Sequence, residues 1–357
     1  MRLCCCVRWF AGLIVVLSGV GCAHTGASGV RAGWLSWRTP TEEESLRARA
    51  EAGDAAWQYA LGYSLLYGEG GPRNSALGLS WLRKSGDNGY LRSQMLLGQI
   101  LLKGSVDVPR NEGEAVRWLE KAAKQNCVAA QSTLGALYLS KDSAIRDPEA
   151  GVVWLKRAAG AGDVTAQLAL GLMYHKGYVV AQNDEESARW YLLAAAQGHA
   201  EGQTYLGIAY YRGKGVRQSF DEALRLFNLA VAQGSAKAMS NLGVMAGRGE
   251  GMSKDEAQAA GWFRKAAELG DDDGQSNLGA AYYRGSGVAQ DYAEALKWFK
   301  AAADQGHAMS QFRLGYMYAL GQGVTADPAQ AAEWIGKSAA QGNPLAVKWQ
   351  QEHPPAK

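Results

Sequence analysis

Apolar and polar positions follow a helical rhythm along most of the chain. In the stretch Ala200 to Arg212, Gln203, Leu206, Gly207 and Tyr210 fall at i, i+3, i+4 and i+7, one stripe of a helical surface. The stripe recurs around a Leu-Gly pair whose glycines are Gly62, Gly98, Gly135, Gly171, Gly207, Gly243, Gly279 and Gly315. Neighbouring glycines are 36 residues apart, except for 37 between Gly98 and Gly135. A fixed period in this range marks an array of stacked two-element units without a shared central core, so the length of 357 residues does not imply several domains. Each unit predicts a helix A that carries the glycine and ends at a Gly-x-Gly such as Gly213-Lys214-Gly215, followed by a helix B.

Other positions keep the same register. Nineteen residues after the glycine stand Trp81, Trp154, Trp190, Trp262, Trp298 and Trp334, with Trp118 one later and Leu226 as the exception. Because glycine inside a helix costs about 1 kcal/mol relative to alanine, close approach is its expected use, with the tryptophan of helix B lying against the helix A backbone. Helix B opens at Asn74, Asn111, Asp147, Asn183, Ser219, Asp255, Asp291 and Asp327, all good N-cap residues. Glu114, Glu186, Glu222, Gln258, Glu294 and Gln330 stand three later and predict reciprocal capping boxes. At plus 27 a second glycine recurs (Gly89, Gly162, Gly198, Gly234, Gly270, Gly306, Gly342), replaced only by Asn126, which predicts a left-handed helix C-cap. The sixth unit departs most: Met239 replaces the usual glutamine, Ala246 the usual tyrosine, and Gly247, Gly249 and Gly251 crowd together, as in a hinge or a looser unit.

The ends differ from the array. Arg2 and Arg8, the apolar run Trp9 to Val20 and the small Gly21-Cys22-Ala23 predict a secretory leader over 1–21, too short to span about 30 Å of bilayer. Residues 22–40 form a Gly/Ser/Ala tether. Residues 41–53 predict a capping helix with an N-cap at Thr41, 54–343 the eight units, and 344–357 a last capping helix and tail. Charged residues make up 20% of the chain and the net charge is +3 with both signs interspersed, which does not indicate nucleic acid. Of five cysteines only Cys127 falls in the repeats, where it reads as a small buried hydrophobe rather than half of a staple.

Tyr205-Leu-Gly-Ile-Ala-Tyr-Tyr-Arg-Gly-Lys-Gly-Val216, Asp291-x-x-Glu294-Ala295 and Trp298-Phe-Lys-Ala-Ala-Ala-Asp-Gln-Gly306 resemble the consensus of the Sel1-like repeats, relatives of the tetratricopeptide repeats. The resemblance covers about 42–353. It implies an all-α, right-handed α/α superhelical solenoid whose concave surface is lined by helix A, and a non-enzymatic adaptor for a protein partner. The segment Leu17 to Cys22 resembles a bacterial lipobox, with Val20 and Gly21 fitting and Gly19 departing from it. It implies lipidation at Cys22 and anchoring to the outer membrane from the periplasmic side, with simple cleavage after Ala23 as the alternative. The two resemblances together imply a partner in the cell envelope, or else peptidoglycan or an exported polysaccharide. A cysteine-rich branch of the family is linked to β-lactam chemistry, but the cysteine pairs that carry it are missing from this chain.

Outside the repeat register no Ser/His/Asp set and no metal-ligand spacing occurs, so no catalytic residue, metal or cofactor is expected. His199 and His307 follow the plus-27 glycine and should start a helix, while His175 sits on helix A. Five residues after the key glycine stand Lys103, Lys176, Arg212, Arg248 and Arg284, with Ser140 interrupting, and His175, Tyr211 and Tyr283 stand beside them at plus four. With units about 10 Å apart, the four consecutive cations would make a ladder roughly 30 Å long. Such a strip suits an acidic peptide or an anionic glycan. Cations at the end of helix A also suit its dipole, by a few tenths of a kcal/mol.

Overall fold

The computed structural model describes residues 40–353, and from residue 44 onwards with side chains. The expected leader, the Cys22 anchor, the tether before Pro40 and the tail after His353 lie outside the described residues. Among the described residues there are eighteen helices and no strand. α1 (Pro40–Glu51) starts at Pro40, so Thr41 lies inside the helix instead of capping it. The A helices are α2 (Ala55–Tyr67), α4 (Leu91–Lys103), α6 (Val128–Leu139), α8 (Val164–Lys176), α10 (Ala200–Arg212), α12 (Ala236–Arg248), α14 (Asp272–Arg284) and α16 (Ala308–Leu320). The B helices are α3 (Ser75–Asp87), α5 (Glu112–Lys124), α7 (Pro148–Gly160), α9 (Asp184–Ala196), α11 (Phe220–Val231), α13 (Glu256–Glu268), α15 (Tyr292–Asp304) and α17 (Pro328–Ala340), followed by α18 (Pro344–Glu352). The chain is an all-α solenoid of repeats. It divides into two compact units, one of residues 40–173 with 177–181 and one of 182–353 with 174–176.

Local chemistry sets the helix ends. All eight expected N-caps of helix B accept a hydrogen bond from the backbone N–H three residues on, as Asp291 does from Glu294 at 3.0 Å. The reciprocal half of the capping box is absent. The N–H of each cap residue is donated instead to a carbonyl of helix A, for example Asp291 to Tyr282 and Asp327 to Tyr318, both at 3.0 Å. That bond ties the start of helix B to helix A of its own repeat and releases the third-position acid. Glu114 and Glu294 use the freedom to accept from the indole N–H of Trp118 and Trp298 at 3.1 Å. At plus 27 every glycine has positive φ, between +80° and +95°, and Asn126 takes +62°, so the chain reverses there in the conformation that glycine adopts without steric cost.

The key glycine meets a different residue from the one expected. A Cβ on Gly279 would lie 2.8 Å from the Phe299 ring, on Gly207 2.7 Å from Phe227, and on Gly98 2.6 Å from Leu119. These partners follow the tryptophan position by one, and Phe227, Phe299 and Leu119 are buried to within 1%. Burying a phenylalanine side chain contributes about 2–3 kcal/mol, more than the ~1 kcal/mol a helical glycine costs. The tryptophans serve the next interface. Trp154, Trp262 and Trp334 pack on clusters that contain Leu119, Phe227 and Phe299 of the preceding repeat. Their outer faces carry a cation from three residues on, such as Lys337 at 4.0 Å from Trp334 and Lys265 at 4.4 Å from Trp262.

Amides stitch repeats together. The glutamine four before the key glycine donates to a carbonyl of the preceding B helix, as Gln311 does to Ala303. It accepts from an amide at the end of its own repeat's B helix: Gln341 to Gln311 and Gln125 to Gln94 at 2.8 Å, and Gln233 to Gln203 and Gln305 to Gln275 at 2.9 Å. That second amide also donates to the carbonyl of the preceding plus-27 glycine, as Gln341 does to Gly306. In repeat six both positions are apolar, Met239 and Leu269, so neither leaves an amide without its partner. Cys127 is buried.

In a double-mutant cycle, Gly279→Ala should couple to Phe299→Ala by about 1 kcal/mol or more and to Trp298→Ala by far less. Denaturant unfolding measures both terms, and equal coupling to the two aromatics would contradict the contact.

Candidate functional site

Helix A must bury its Leu-Gly stripe against helix B and neighbouring repeats, which leaves one side of it over. In the unit of residues 182–353 that side is formed by α10, α12, α14 and α16. It presents residues six and two before the key glycine and five after it. Six before stand Glu201, Lys237, Asp273 and Met309; two before stand Tyr205, Asn241, Asn277 and Arg313; five after stand Arg212, Arg248, Arg284 and Leu320, and all twelve are exposed or half-buried.

The candidates from the sequence fall into different surroundings. Lys103 is exposed at the end of α4, in the other compact unit. Lys176 lies near enough to Tyr205 for its charge to act on the phenol. Arg248 donates from Nη1 to the Tyr211 hydroxyl at 3.1 Å, and that hydroxyl donates to Glu250 at 2.6 Å. The Tyr283 hydroxyl donates to Gln322 at 2.9 Å. Tyr211 and Tyr283 also pack on Phe220 and Tyr292, with ring centroids 5.8 and 5.3 Å apart. Both tyrosines are therefore half-buried joints between repeats rather than exposed platforms. Nδ1 of His175 lies 3.2 Å from the Asp184 carboxylate, tying the end of α8 to the start of α9.

Three residues of this face carry no mark in the repeat pattern. Burial opposes the charge on Lys237, but Tyr205, Asp273, Asp271 and Asp272 outweigh it and raise its hold on the proton. A hydrogen bond from His307 holds the Asp273 carboxyl below the usual carboxylate range, against its own burial, with Lys237 and Arg212 adding to the effect. The tautomer of that imidazole is set by its second role as the N-cap of α16. Its Nδ1 accepts from the Ser310 N–H at 3.1 Å, so Nε2, 3.5 Å from Asp273, carries the proton in the neutral ring. Arg313 lies over the Phe299 ring at 5.4 Å, and burial, then the like charge of Arg284, lower its hold on the proton. Among the described residues neither Arg284 nor Arg313 has a carboxylate at ion-pair distance.

The Sel1 repeat family matches residues 55–90, 91–127, 128–163, 164–199, 200–235, 236–271, 272–307 and 308–343. The chain is a Sel1-repeat protein. Solved structures similar to it in sequence and fold include two bacterial proteins. A Sel1 repeat protein from Oxalobacter formigenes is 35% identical, with a TM-score of 0.72, over 87% of this chain and 89% of that one. The protein c5321, a protective antigen of uropathogenic Escherichia coli with the same repeat fold, is 32% identical, with a TM-score of 0.62, over 85% and 73%. Comparison with curated proteins gives no match. Sel1-repeat proteins are generally protein-interaction scaffolds without catalysis of their own. Among the described residues of this Sel1-repeat protein, no group of three or more His, Cys, Asp or Glu side chains could hold a metal ion. No described helix is long and apolar enough to cross a membrane.

Because the folded Asp273 carboxyl titrates below its unfolded value, its contribution to stability is present above the ordinary aspartate range near pH 4 and is lost as pH falls through the folded value. His307→Ser keeps a capping oxygen but is too short to reach Asp273. Its expected effect is a higher Asp273 midpoint in an NMR titration and a shallower loss of stability on acidification. An unmoved midpoint would contradict the pairing.

Proposed function

We propose that the protein is a non-enzymatic scaffold of the bacterial cell envelope that holds a protein partner on the exposed A-helix face of repeats five to eight. The observation that carries this is the contrast between framework and face. Framework positions keep one residue type or one chemistry, as in the Leu-Gly pair and the large apolar residue twenty or twenty-one later that packs on the glycine. On the face, equivalent positions read Glu201, Lys237, Asp273 and Met309, or Tyr205, Asn241, Asn277 and Arg313. Stacking does not need that variety, and side chains of mixed charge and hydrogen-bonding capacity on rigid helices are what recognition of one partner needs.

What supports the envelope setting is the leader-like stretch over 1–21 and the lipobox-like segment ending at Cys22; on this reading the array lies on the periplasmic side, anchored to the outer membrane. A polysaccharide partner is less well served. A polyanion running along this face would pass Glu201, Asp272 and Asp273, which break the run of cations.

A photo-crosslinking residue in place of Asn241, activated in intact cells, should trap one protein as a protease-sensitive adduct that is absent when the probe replaces Lys300 on α15. Cys22→Ser should move the protein from the membrane fraction to the soluble fraction. Adducts that resist protease but yield to glycan-degrading enzymes would overturn the protein reading, and a Cys22→Ser variant that stays with the membrane would overturn the anchor.

A further inference from the structure

On the face of repeats five to eight positive charge is concentrated but not evenly balanced. Lys237 is surrounded by Asp271, Asp272 and Asp273. Arg212 has Asp273 within electrostatic reach. Arg248 is held by the Tyr211 hydroxyl, which itself binds the Glu250 carboxylate. The exception lies at the far end. Arg284 closes α14, and Arg313 stands on the next A helix, in the register that also sets Lys176 beside Tyr205. Each of these pairs joins the residue five after one key glycine to the residue two before the next.

Arg313 is no ordinary surface arginine. Its guanidinium is half-buried over the Phe299 ring, with a second guanidinium as its charged neighbour and, among the described residues, no carboxylate partner for either. Keeping two cations together while one is partly desolvated is unfavourable unless an anion joins them. A guanidinium offers a planar fork of N–H donors that matches a carboxylate in bidentate fashion, and one seated on an aromatic ring is already oriented. Half-buried Asn277 stands in the same row as Arg313 one repeat earlier, and the exposed Tyr316 and Leu320 follow Arg313 by three and seven residues on α16, so the register around the pair offers an amide and two large exposed side chains.

We propose that Arg284 and Arg313 together form a receiving site for a carboxylate on an acidic segment of the protein partner. This rests on the scaffold reading above and names the chemistry by which that face recognises its partner. A peptide fits better than an anionic glycan because the uncompensated charge is one pair rather than a track. Toward repeat five Asp272, Asp273 and Glu201 alternate with Lys237, Arg248 and Arg212, a mixed stretch that suits a segment whose acidic residues are local and followed by residues of both signs.

The test uses the full chain and a fluorescein-labelled peptide with four consecutive glutamates, with its glutamine counterpart and an oligogalacturonate of similar charge as comparisons, followed by fluorescence anisotropy or competition at about 50 mM salt. The glutamate peptide should bind, the glutamine peptide should not, and the galacturonate should compete poorly. Arg284→Gln and Arg313→Gln should each weaken binding about tenfold, and Arg212→Gln less than twofold. Arg284→Gln lies at an exposed helix end, away from the Phe299 packing, so its loss of binding reports recognition rather than folding. Arg313→Lys, which keeps the charge but not the fork, should recover only part of the affinity. Glutamate-peptide binding that is unchanged in the Arg284→Gln/Arg313→Gln variant would overturn the site, as would galacturonate binding that is tighter and depends on the same two residues. If the Asn241 crosslink still traps its protein in the double variant while peptide binding never depended on the arginines, the carboxylate site is wrong and the scaffold function stands.

Discussion

The repeat depends on how closely helix B can approach helix A at the Leu-Gly glycine. With no side chain at Gly207 or Gly279, the ring of Phe227 or Phe299 comes within 2.7 or 2.8 Å of where a Cβ would stand, a space no added carbon could share. Interiors at organic-crystal density leave no slack for an added methyl at such a point. Other features attach to this contact: the cap residue of helix B hands its N–H to helix A of the same repeat, and the tryptophan beside the buried residue is turned toward the preceding repeat. One backbone approach therefore orients both the contact within a repeat and the contact between repeats, and both are reused along the chain.

A framework that settles its own contacts leaves the remaining side of helix A with few structural duties, such as the Arg248–Tyr211 and Asp273–His307 contacts. In repeats five to eight that side has become electrically heterogeneous. Lys237, Asp273 and His307 form a chain of neighbours that answer one another, whereas Arg313 feels the like charge of Arg284 and neither has a carboxylate at ion-pair distance among the described residues. The half-buried state of Arg313 matters more than its charge alone, because burial removes hydration that the face of Phe299 only partly replaces.

Much of this was legible in the sequence, for reasons that differ by position. The repeat period, the two helices per unit, the B-helix N-caps and the left-handed plus-27 positions follow from local chemistry, so residues such as Asp291 and Asn126 announce their roles alone. The partner of the key glycine was not legible. A tryptophan and its following residue are both large and both periodic, and only packing shows that Phe299, not Trp298, meets Gly279. The third-position glutamates likewise read as reciprocal caps from sequence, because nothing local shows that the cap N–H has a helix A carbonyl to go to. Tyr211 and Tyr283 could be placed in register, but not seen to be joints between repeats. Arg313, Lys237 and Asp273 are not legible in the repeat pattern because they do not repeat. The available signal is that the residue two before each glycine changes from Tyr205 to Asn241, Asn277 and Arg313 while the Leu-Gly pair that follows it stays constant.

Separation of framework from face is the central claim, and it can be measured in one molecule. A full chain with Lys237, Asn241, Asp273, Asn277 and Arg313 all replaced by alanine should unfold cooperatively with a melting midpoint within a few degrees of the parent, yet fail to retain the partner in an affinity capture from cells. A collapse of the melt, or capture that survives all five changes, would show that the face belongs to the fold or that the partner binds elsewhere.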